Sequence, residues 1–418
     1  GIAGGRLAYA DKSLEPKWDW QKYDYQYRVW GRLTYNPETD PDGYRRYLRH
    51  EFQTAAQPME TALANASRIL PVITTTHGAS GSNNSYWPEM YMNMPIVDAA
   101  RAQPYGDTPD PKVFGNVSAF DPQLFSTVNG CADALIDGQG SAKYTPLDVA
   151  QWLDDLSTAA SKSQAEALSR APRKDAPELR RMGGDIAIQA GIGKFFAYKF
   201  RSGVLWALYL KTGNRTALTE AVKAYSTARE AWASMAEAAK TVYAADITYG
   251  KNANMRGHWF DRIAGIDGDL GDMEARLADA APLNPPATVD AAVARRAIAT
   301  ALARPNRVSV TAHHTPAPHF DPGKPLEVSV AFNANGPRRK VNLFYRQADQ
   351  SQRWHSVEMQ THDNEFRATV PAEYTQSPYP LQYYFEVHES SGSTIFPGFS
   401  PDLSNQPYIL VRRNPGRG

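Results

Sequence analysis

Near residue 305 the spacing of apolar residues changes from a helical period of 3.6 to a strand period of 2, so the chain must build two kinds of structure in succession. Before the break the strongest signal is a pair of long segments. Roughly Pro177 to Lys211 carries Phe195, Phe196, Phe200, Leu205, Trp206, Leu208 and Tyr209, and Gly213-Asn214 stops it. About Thr216 to Tyr243 returns with Leu218, Val222, Tyr225, Ala228, Trp232 and Met235 at helical spacing. The pattern predicts an antiparallel helical hairpin whose aromatic stripe is core rather than a cofactor box. After the break, alternation runs through Val308 and Val310, Leu326 to Phe332, Val341 to Tyr345, Trp354 to Met359, Phe366 to Val370, Leu381 to Val387, and Tyr408 with Leu410. Seven short strands in about a hundred residues, with turn signals at Asn335-Gly336-Pro337, Asp363-Asn364 and Ser391-Gly392, read as an immunoglobulin or fibronectin-like sandwich. The expected fold is therefore multidomain α plus β, mainly helical in its N-terminal and central regions and all-β at its end.

The rest of the helical region is read from its breakers and caps. A helix is expected from about Ala56 to Leu70, ending before Pro71, and another opens at Thr145-Pro146 and runs through Trp152 and Leu156. Ile263, Ile266, Leu270 and Met273 predict a helix where Asp267, Asp269, Asp272 and Glu274 resemble a calcium loop in charge alone. Asn284-Pro285-Pro286 is a stiff connector to a last helix ending near Ala303. Residues 74–125 are different: they are dense in turn residues and prolines and hold no period, yet carry many Trp, Tyr, Met and Phe. So many large apolar side chains argue against disorder and for an ordered functional excursion.

Charge and composition narrow the partners. With 45 Lys and Arg against 44 Asp and Glu, the net charge of +1 offers no footprint for nucleic acid or an anionic membrane. No apolar run is long enough to span a bilayer, and no signal peptide stands at Gly1. A chain opening on glycine rather than methionine reads as processed or as a piece of something longer. The single Cys131 excludes an internal disulfide framework and a cysteine-based zinc cluster. No cofactor or metal is expected: His313, His314 and His319 lack an accompanying carboxylate cluster, and neighbours on a strand point to opposite faces. Gly191-Ile192-Gly193-Lys194 lacks the Ser or Thr of a phosphate loop, and Gly78-Ala79-Ser80-Gly81-Ser82 is one residue wrong for a nucleophile elbow.

One stretch, Tyr23 to Phe52, carries a helix–turn–helix reading. Tyr23, Tyr27 and Trp30 fall on one face with Val29 beside them, Gly31 follows, and Pro37 forces extended geometry before it. Thr39-Asp40-Pro41 then caps a second helix that buries Tyr44, Tyr47, Leu48 and Phe52 and leaves Arg45, Arg46 and Arg49 outside. Two packed helices explain the pattern without any function. The segment Trp30, Gly31, Arg32, Leu33, Tyr35, Asn36, Pro37 with Phe52 also resembles the piece that closes the catalytic barrel of bacterial α-glucuronidases acting on xylan side chains. The resemblance covers roughly a tenth of the chain. It implies that residues 1–55 end an upstream barrel-like domain of the same polypeptide, ahead of a helical domain at 56–304 and a sandwich at 305–418. In that family the acid and base carboxylates sit on barrel strands that precede this segment, so no catalytic residue carries over.

Two stretches hold side chains suited to sugars. In the 74–125 excursion, Asn84, Tyr86, Trp87 and Glu89 offer an amide, a phenol, a stacking indole and a carboxylate. Between the hairpin and the next helix, Arg256 or Arg262 would pair with the carboxylate of an acidic sugar, Trp259 would stack, and His258 would hydrogen-bond. The second group is equally explained as a helix start packed on the hairpin. The expected function is the helical and sandwich portion of a secreted bacterial glycoside hydrolase of α-glucuronidase-like type, extracellular or periplasmic. Its partners would be an oligo- or polysaccharide, uronate-bearing ones included, and the upstream barrel. A stand-alone carbohydrate-binding or scaffold protein is the alternative, as is a polysaccharide lyase built on Tyr249, Arg256 and His258. Tyr379, Tyr383, Tyr384 and Trp354 could form a further sugar-binding face on the sandwich.

Overall fold

The computed structural model describes residues 8–78, 94–101, 113–138, 140–248, 256–279, 285, 288–333, 337–349, 351–362 and 365–415, and the statements below are of these residues. It is an α plus β chain of two units. One comprises 1–136 and 145–304, the other 137–144 and 305–418.

The helical unit is built round α7 (Pro177–Thr212) and α8 (Arg215–Lys240), the antiparallel pair expected from the apolar spacing. Gly213 reverses the chain between them in the left-handed region at φ 66°, and Asn214 accepts the amide of Thr216 to start α8. Phe195, Phe196, Phe200, Tyr225 and Trp232 are all fully buried in their seam. Each such side chain contributes about 1.5–3 kcal/mol by leaving water. The Gly-x-Gly pair that resembles a phosphate loop is packing. A Cβ at Gly191 would stand 2.3 Å from the Cβ of Met235 on α8, and one at Gly193 would stand 2.3 Å from Ser157 Oγ on α6 (Pro146–Arg170). Bare backbone there lets three helices close on one another.

α6 begins with the expected Thr145 cap. Its hydroxyl accepts the Asp148 amide while the Asp148 carboxylate accepts the Thr145 amide, so Asp148 is buried as a capping group rather than solvated. α1 (Asp24–Tyr35), α2 (Asp42–Phe52) and α3 (Ala56–Ala66) share one apolar cluster with α6 and α7, through Tyr25, Leu48, Phe52, Met59, Ala160 and Leu179. α1 runs a turn beyond the predicted stop at Gly31; Thr34 Oγ1 donates to the Trp30 carbonyl, and only Asn36, ahead of Pro37, leaves the helix. Pro71 likewise does not end a helix. It sits in the first turn of α4 (Ile69–Thr76), where its missing amide costs nothing. α5 (Val128–Asp137), α9 (Ile263–Ala278) and α10 (Ala291–Leu302) complete the helices used here.

The second unit is two sheets over one core. One sheet runs β4-β12-β10-β6-β7, from His319–Phe320, Ile409–Arg413, Leu381–Glu389, Lys340–Gln347 and His355–Glu358, with β11 (Gly392–Phe396) also on β10. The other runs β3-β5-β9-β8, from Ala312–His313, Leu326–Phe332, Glu365–Val370 and Gln360–His362. Val328, Val330 and Val370 of one meet Val341, Leu343, Tyr383 and Phe385 of the other, so alternation along β5 and β6 places one face inward as predicted, whereas β10 is buried on both faces from Leu381 to Phe385. The 137–144 segment belongs to this unit. Arg307 donates to the carbonyls of Ala142 and Lys143 and lies over the Tyr144 ring at 4.3 Å, and the Tyr144 hydroxyl accepts the Phe399 amide at 2.9 Å.

Candidate functional site

The Arg256–Arg262 turn is brought together as a closed, internally bonded knot. β1 (Ile247–Thr248) pairs antiparallel with β2 (Arg256–Gly257), and Gly257 at φ 103° makes room for Asp261, whose Oδ2 would lie 2.4 Å from a Cβ there. That carboxylate accepts the His258 amide at 2.7 Å, and His258 Nδ1 accepts the Phe260 amide at 3.2 Å. Nδ1 is thus an acceptor and the ring proton resides on Nε2, which is buried without a hydrogen-bond partner. Burial holds the imidazole below its usual pKa, against the pull of Asp261, so it is neutral near pH 7. Trp259 is 3% exposed; its carbonyl accepts Trp232 Nε1 at 2.8 Å and its ring lies against Tyr243 and His258. A ring so enclosed has no face open to a sugar from solvent. Arg256 donates to Asp246 at 2.5 Å, and Arg262 donates to the Arg256 carbonyl at 2.8 Å.

Asn84, Tyr86, Trp87 and Glu89 lie outside the described residues, as does Tyr249. The described parts of the same excursion are anchored by buried polar groups. Asp269 of α9 accepts the Ile96 amide at 2.9 Å and stands 3.6 Å from the ammonium of Lys199 on α7, both side chains wholly buried. Lys199 also donates to Tyr225 at 3.2 Å and faces the rings of Phe114 and Phe195. Burial pulls its pKa down to about 8, opposed by Asp269. His77 stacks on Phe114 at 4.1 Å beside a small cleft lined by Thr76, Phe125, Ser126, Thr127 and Phe200. Burial lowers its pKa to about 3, which leaves it neutral and unsuited to proton transfer near pH 7.

The exposed feature that stands out is an aromatic ridge along the 3-10 turn Asp19–Tyr23 and α1. Trp18, Trp20, Tyr23, Tyr27, Trp30 and Tyr35 are between 45% and 93% exposed. Six rings in eighteen residues expose on the order of several hundred Å² of aromatic surface, with Tyr35 turned about 120° round α1 from Tyr23. At 100° per residue Tyr23, Tyr27 and Trp30 point one way, while Tyr25 and Val29 point the other and pack on the helical core. Tyr25 donates to Glu60 at 2.7 Å, and Arg45 binds the same carboxylate at 2.9 Å. The two helices therefore pack through Tyr25 and Val29, and the aromatic face that first drew attention is left in solvent. Tyr23 and Tyr27 meet edge to face at 6.4 Å. Gly31 has nothing within 4 Å of where its Cβ would be. A helix-interior glycine costs about 0.5–1 kcal/mol, and no close contact inside this chain demands it.

The base of the ridge is pinned by a triad that sequence reading did not find. Lys22 donates to the Tyr243 hydroxyl, Tyr243 donates to Asp185 Oδ1, and Lys22 Nζ lies 3.4 Å from Asp185 Oδ2. Tyr9 stacks on Tyr243 at 5.7 Å from the other side. These residues are 58 to 221 positions apart and carry no local periodicity, so only the fold assembles them.

On the sandwich, Tyr383 and Tyr384 are fully buried and Tyr379 is exposed, so the proposed tyrosine face does not form as one surface. Tyr383 instead bonds His314 at 2.8 Å, whose other nitrogen meets the Ser329 carbonyl. Among the described residues no three His, Cys, Asp or Glu side chains gather in a metal-binding group.

No family model and no curated protein matches the chain. Among solved structures it is similar to a GH138 enzyme targeting pectin rhamnogalacturonan II, at 15% identity and a TM-score of 0.52 over 65% of this chain. The chain spans 40% of that enzyme's length. At that identity the likeness is one of fold.

Proposed function

We propose that the chain is the helical and sandwich portion of a carbohydrate-active enzyme of the glycoside hydrolase type, acting on a polysaccharide. The observation that supports it is the fold likeness to the GH138 enzyme over most of this chain and less than half of that one. In this reading the acid and base carboxylates lie in a barrel domain upstream in the same polypeptide, and the product is exported. The resemblance of Trp30 to Pro37 to a barrel-closing segment favours an α-glucuronidase-like activity and a uronate-bearing substrate. The buried carboxylates described here are otherwise engaged: Asp148 caps a helix and Asp269 neutralises a buried ammonium. Glycoside hydrolysis needs two carboxyl groups flanking the scissile bond, one of them able to hold a proton.

Two measurements test the proposal. The intact mass of the native gene product should exceed 46.2 kDa. That product should release reducing sugar from rhamnogalacturonan or glucuronoxylan, whereas the 418-residue chain alone should release none. A native product of the chain's own mass, or one inert on both polymers, would overturn it.

A further inference from the structure

We propose that Ser393 is an acyl-accepting nucleophile, activated by His388 and oriented through Glu386, with small carboxylic esters as its substrate class. The three residues lie on two strands of the sandwich and have no part in the hydrolase reading above. β11 pairs antiparallel with β10 so that Ser393 stands directly opposite His388, and Glu386, two residues back along β10, shares the face of His388. Side chains directly opposite in such a pair have Cβ atoms about 4.5–5.5 Å apart, within hydrogen-bonding reach for a serine and a histidine. The Ser393 hydroxyl lies 2.7 Å from His388 Nδ1, and His388 Nε2 lies 2.9 Å from Glu386 Oε1. Hydroxyl, imidazole and carboxylate in that order are what general-base activation of a serine requires.

The contacts also fix the tautomer. An ionised carboxylate oxygen only accepts, so the proton of the neutral ring sits on Nε2, and the Nδ1 lone pair is left to accept from the Ser393 hydroxyl. The amide of Asn342, opposite Glu386 on β6, stands beside the carboxylate at 3.5 Å from the same Nε2. The Glu386 side chain is 17% exposed and that of His388 34%, while Ser393 is half-buried on a strand that pairs only with β10 among the described residues. The carboxylate is thus the more withdrawn group, and the hydroxyl lies at the sheet edge. In the step proposed, the Ser393 oxygen bonds to the ester carbonyl carbon as its proton passes to Nδ1, and Glu386 holds the imidazolium that forms. The carbonyl then re-forms as the bond to the alcohol oxygen breaks, and Nδ1 returns the proton to that oxygen. The alcohol leaves, and water repeats the step on the acyl-serine to give the carboxylic acid and free Ser393. General-base help of this kind is worth about 10²–10⁴ in rate.

The test is exposure of the 418-residue chain to p-nitrophenyl acetate, with acetylation read residue by residue from peptide masses after an acid quench. Release of p-nitrophenolate, followed in parallel, counts the acyl groups that water has already removed. Ser391 is an internal control, since its hydroxyl donates to Glu389 and not to an imidazole. Acylation at Ser393, as label plus the release that Ser393→Ala removes, should run about a hundredfold faster than at Ser391. His388→Gln should bring Ser393 down to the rate of Ser391. Glu386→Gln should slow it about tenfold or more while the urea midpoint stays close to the parent's, because the group acts by holding the ring and its proton. A contact that is structural alone would shift the midpoint and leave the rate ratio as it was. The inference is overturned if the parent labels Ser393 and Ser391 alike and Ser393→Ala releases p-nitrophenolate as the parent does. It is also overturned if His388→Gln or Glu386→Gln acylates Ser393 as fast as the parent. The first comparison rests on the parent's own label and a surface serine, so it does not depend on the folding of the other variants. None of these outcomes bears on polysaccharide hydrolysis, and an inert native product would leave an acylated Ser393 standing.

Discussion

Replacing Asp269 by alanine should be among the most damaging single changes in the helical unit. Lys199 Nζ lies 3.6 Å from Asp269 Oδ2 with both side chains wholly buried, and the second carboxylate oxygen holds the Ile96 amide. Removing one partner of a buried pair costs about 3–5 kcal/mol because the other charge is stranded, and the freed amide adds about 1 kcal/mol. The stranded ammonium has one escape, which is to lose its proton. Its pKa already stands at about 8, held down by burial and held up by Asp269, and without the aspartate it falls further. A base whose folded pKa is depressed loses stability as pH falls below its unfolded value. The variant should therefore gain more stability from pH 6 to 8 than the parent, whose Lys199 begins to contribute only as pH nears 8. Urea denaturation followed by circular dichroism at pH 6, 7 and 8 reads both the loss and its slope. The double change Lys199→Met with Asp269→Leu should recover most of the loss, leaving about 1–2 kcal/mol for the Ile96 amide that still lacks its acceptor. A single variant that loses less than about 1 kcal/mol, or a double variant as weak as the single, would refute the reasoning. The same variant should expose the Ile96 amide to hydrogen exchange, because the described end of the candidate 74–125 excursion is tied down there.

Further outcomes follow from other buried positions. His77 keeps a folded pKa of about 3 against about 6.5 when free, so its contribution is complete above pH 6.5 and is lost as pH falls toward 3. The full loss is at most about 5 kcal/mol; His77→Gln should flatten the dependence of the urea midpoint between pH 6 and 4, and an unchanged slope would count against it. Gly191→Ala should cost about 1–3 kcal/mol by forcing α7 and α8 apart at Met235. Gly31→Ala, with nothing within 4 Å, should instead stabilise by about 0.5–1 kcal/mol. Thermal melts that show the same sign for both glycines would contradict the packing described.

The α7–α8 hairpin and the sandwich were legible because burial along α8 and β5 repeats at the period of one element. Leu218 to Met235 and Leu326 to Phe332 carry their own address. The ridge shows the limit of the same logic. Tyr23, Tyr27 and Trp30 share a helical face, but periodicity records that residues share a face and not which face meets the core. Tyr25 and Val29, on the other side, took that role. Local breakers misled for a related reason: Pro71 is tolerated in a first turn that has no use for its amide, and Gly31 sits inside α1 at its full cost. Of the candidate turn, composition showed the residues but not that Asp246, Asp261 and Trp232 would consume their polar groups. The Lys22–Tyr243–Asp185 triad and the Lys199–Asp269 pair join positions that no window of sequence spans.

The 137–144 segment makes the sandwich a poor candidate for transplantation. An open reading frame cut between residues 304 and 305 would carry β3 to β12, yet it would leave behind Tyr144, whose hydroxyl secures the Phe399 amide, and the two carbonyls that Arg307 binds. Recombination, proteolytic excision or expression of the C-terminal piece would each deliver a unit missing part of its own wall. The helical chain makes its detour before α6 and the strands complete it some 160 residues later, so the two units are inherited together.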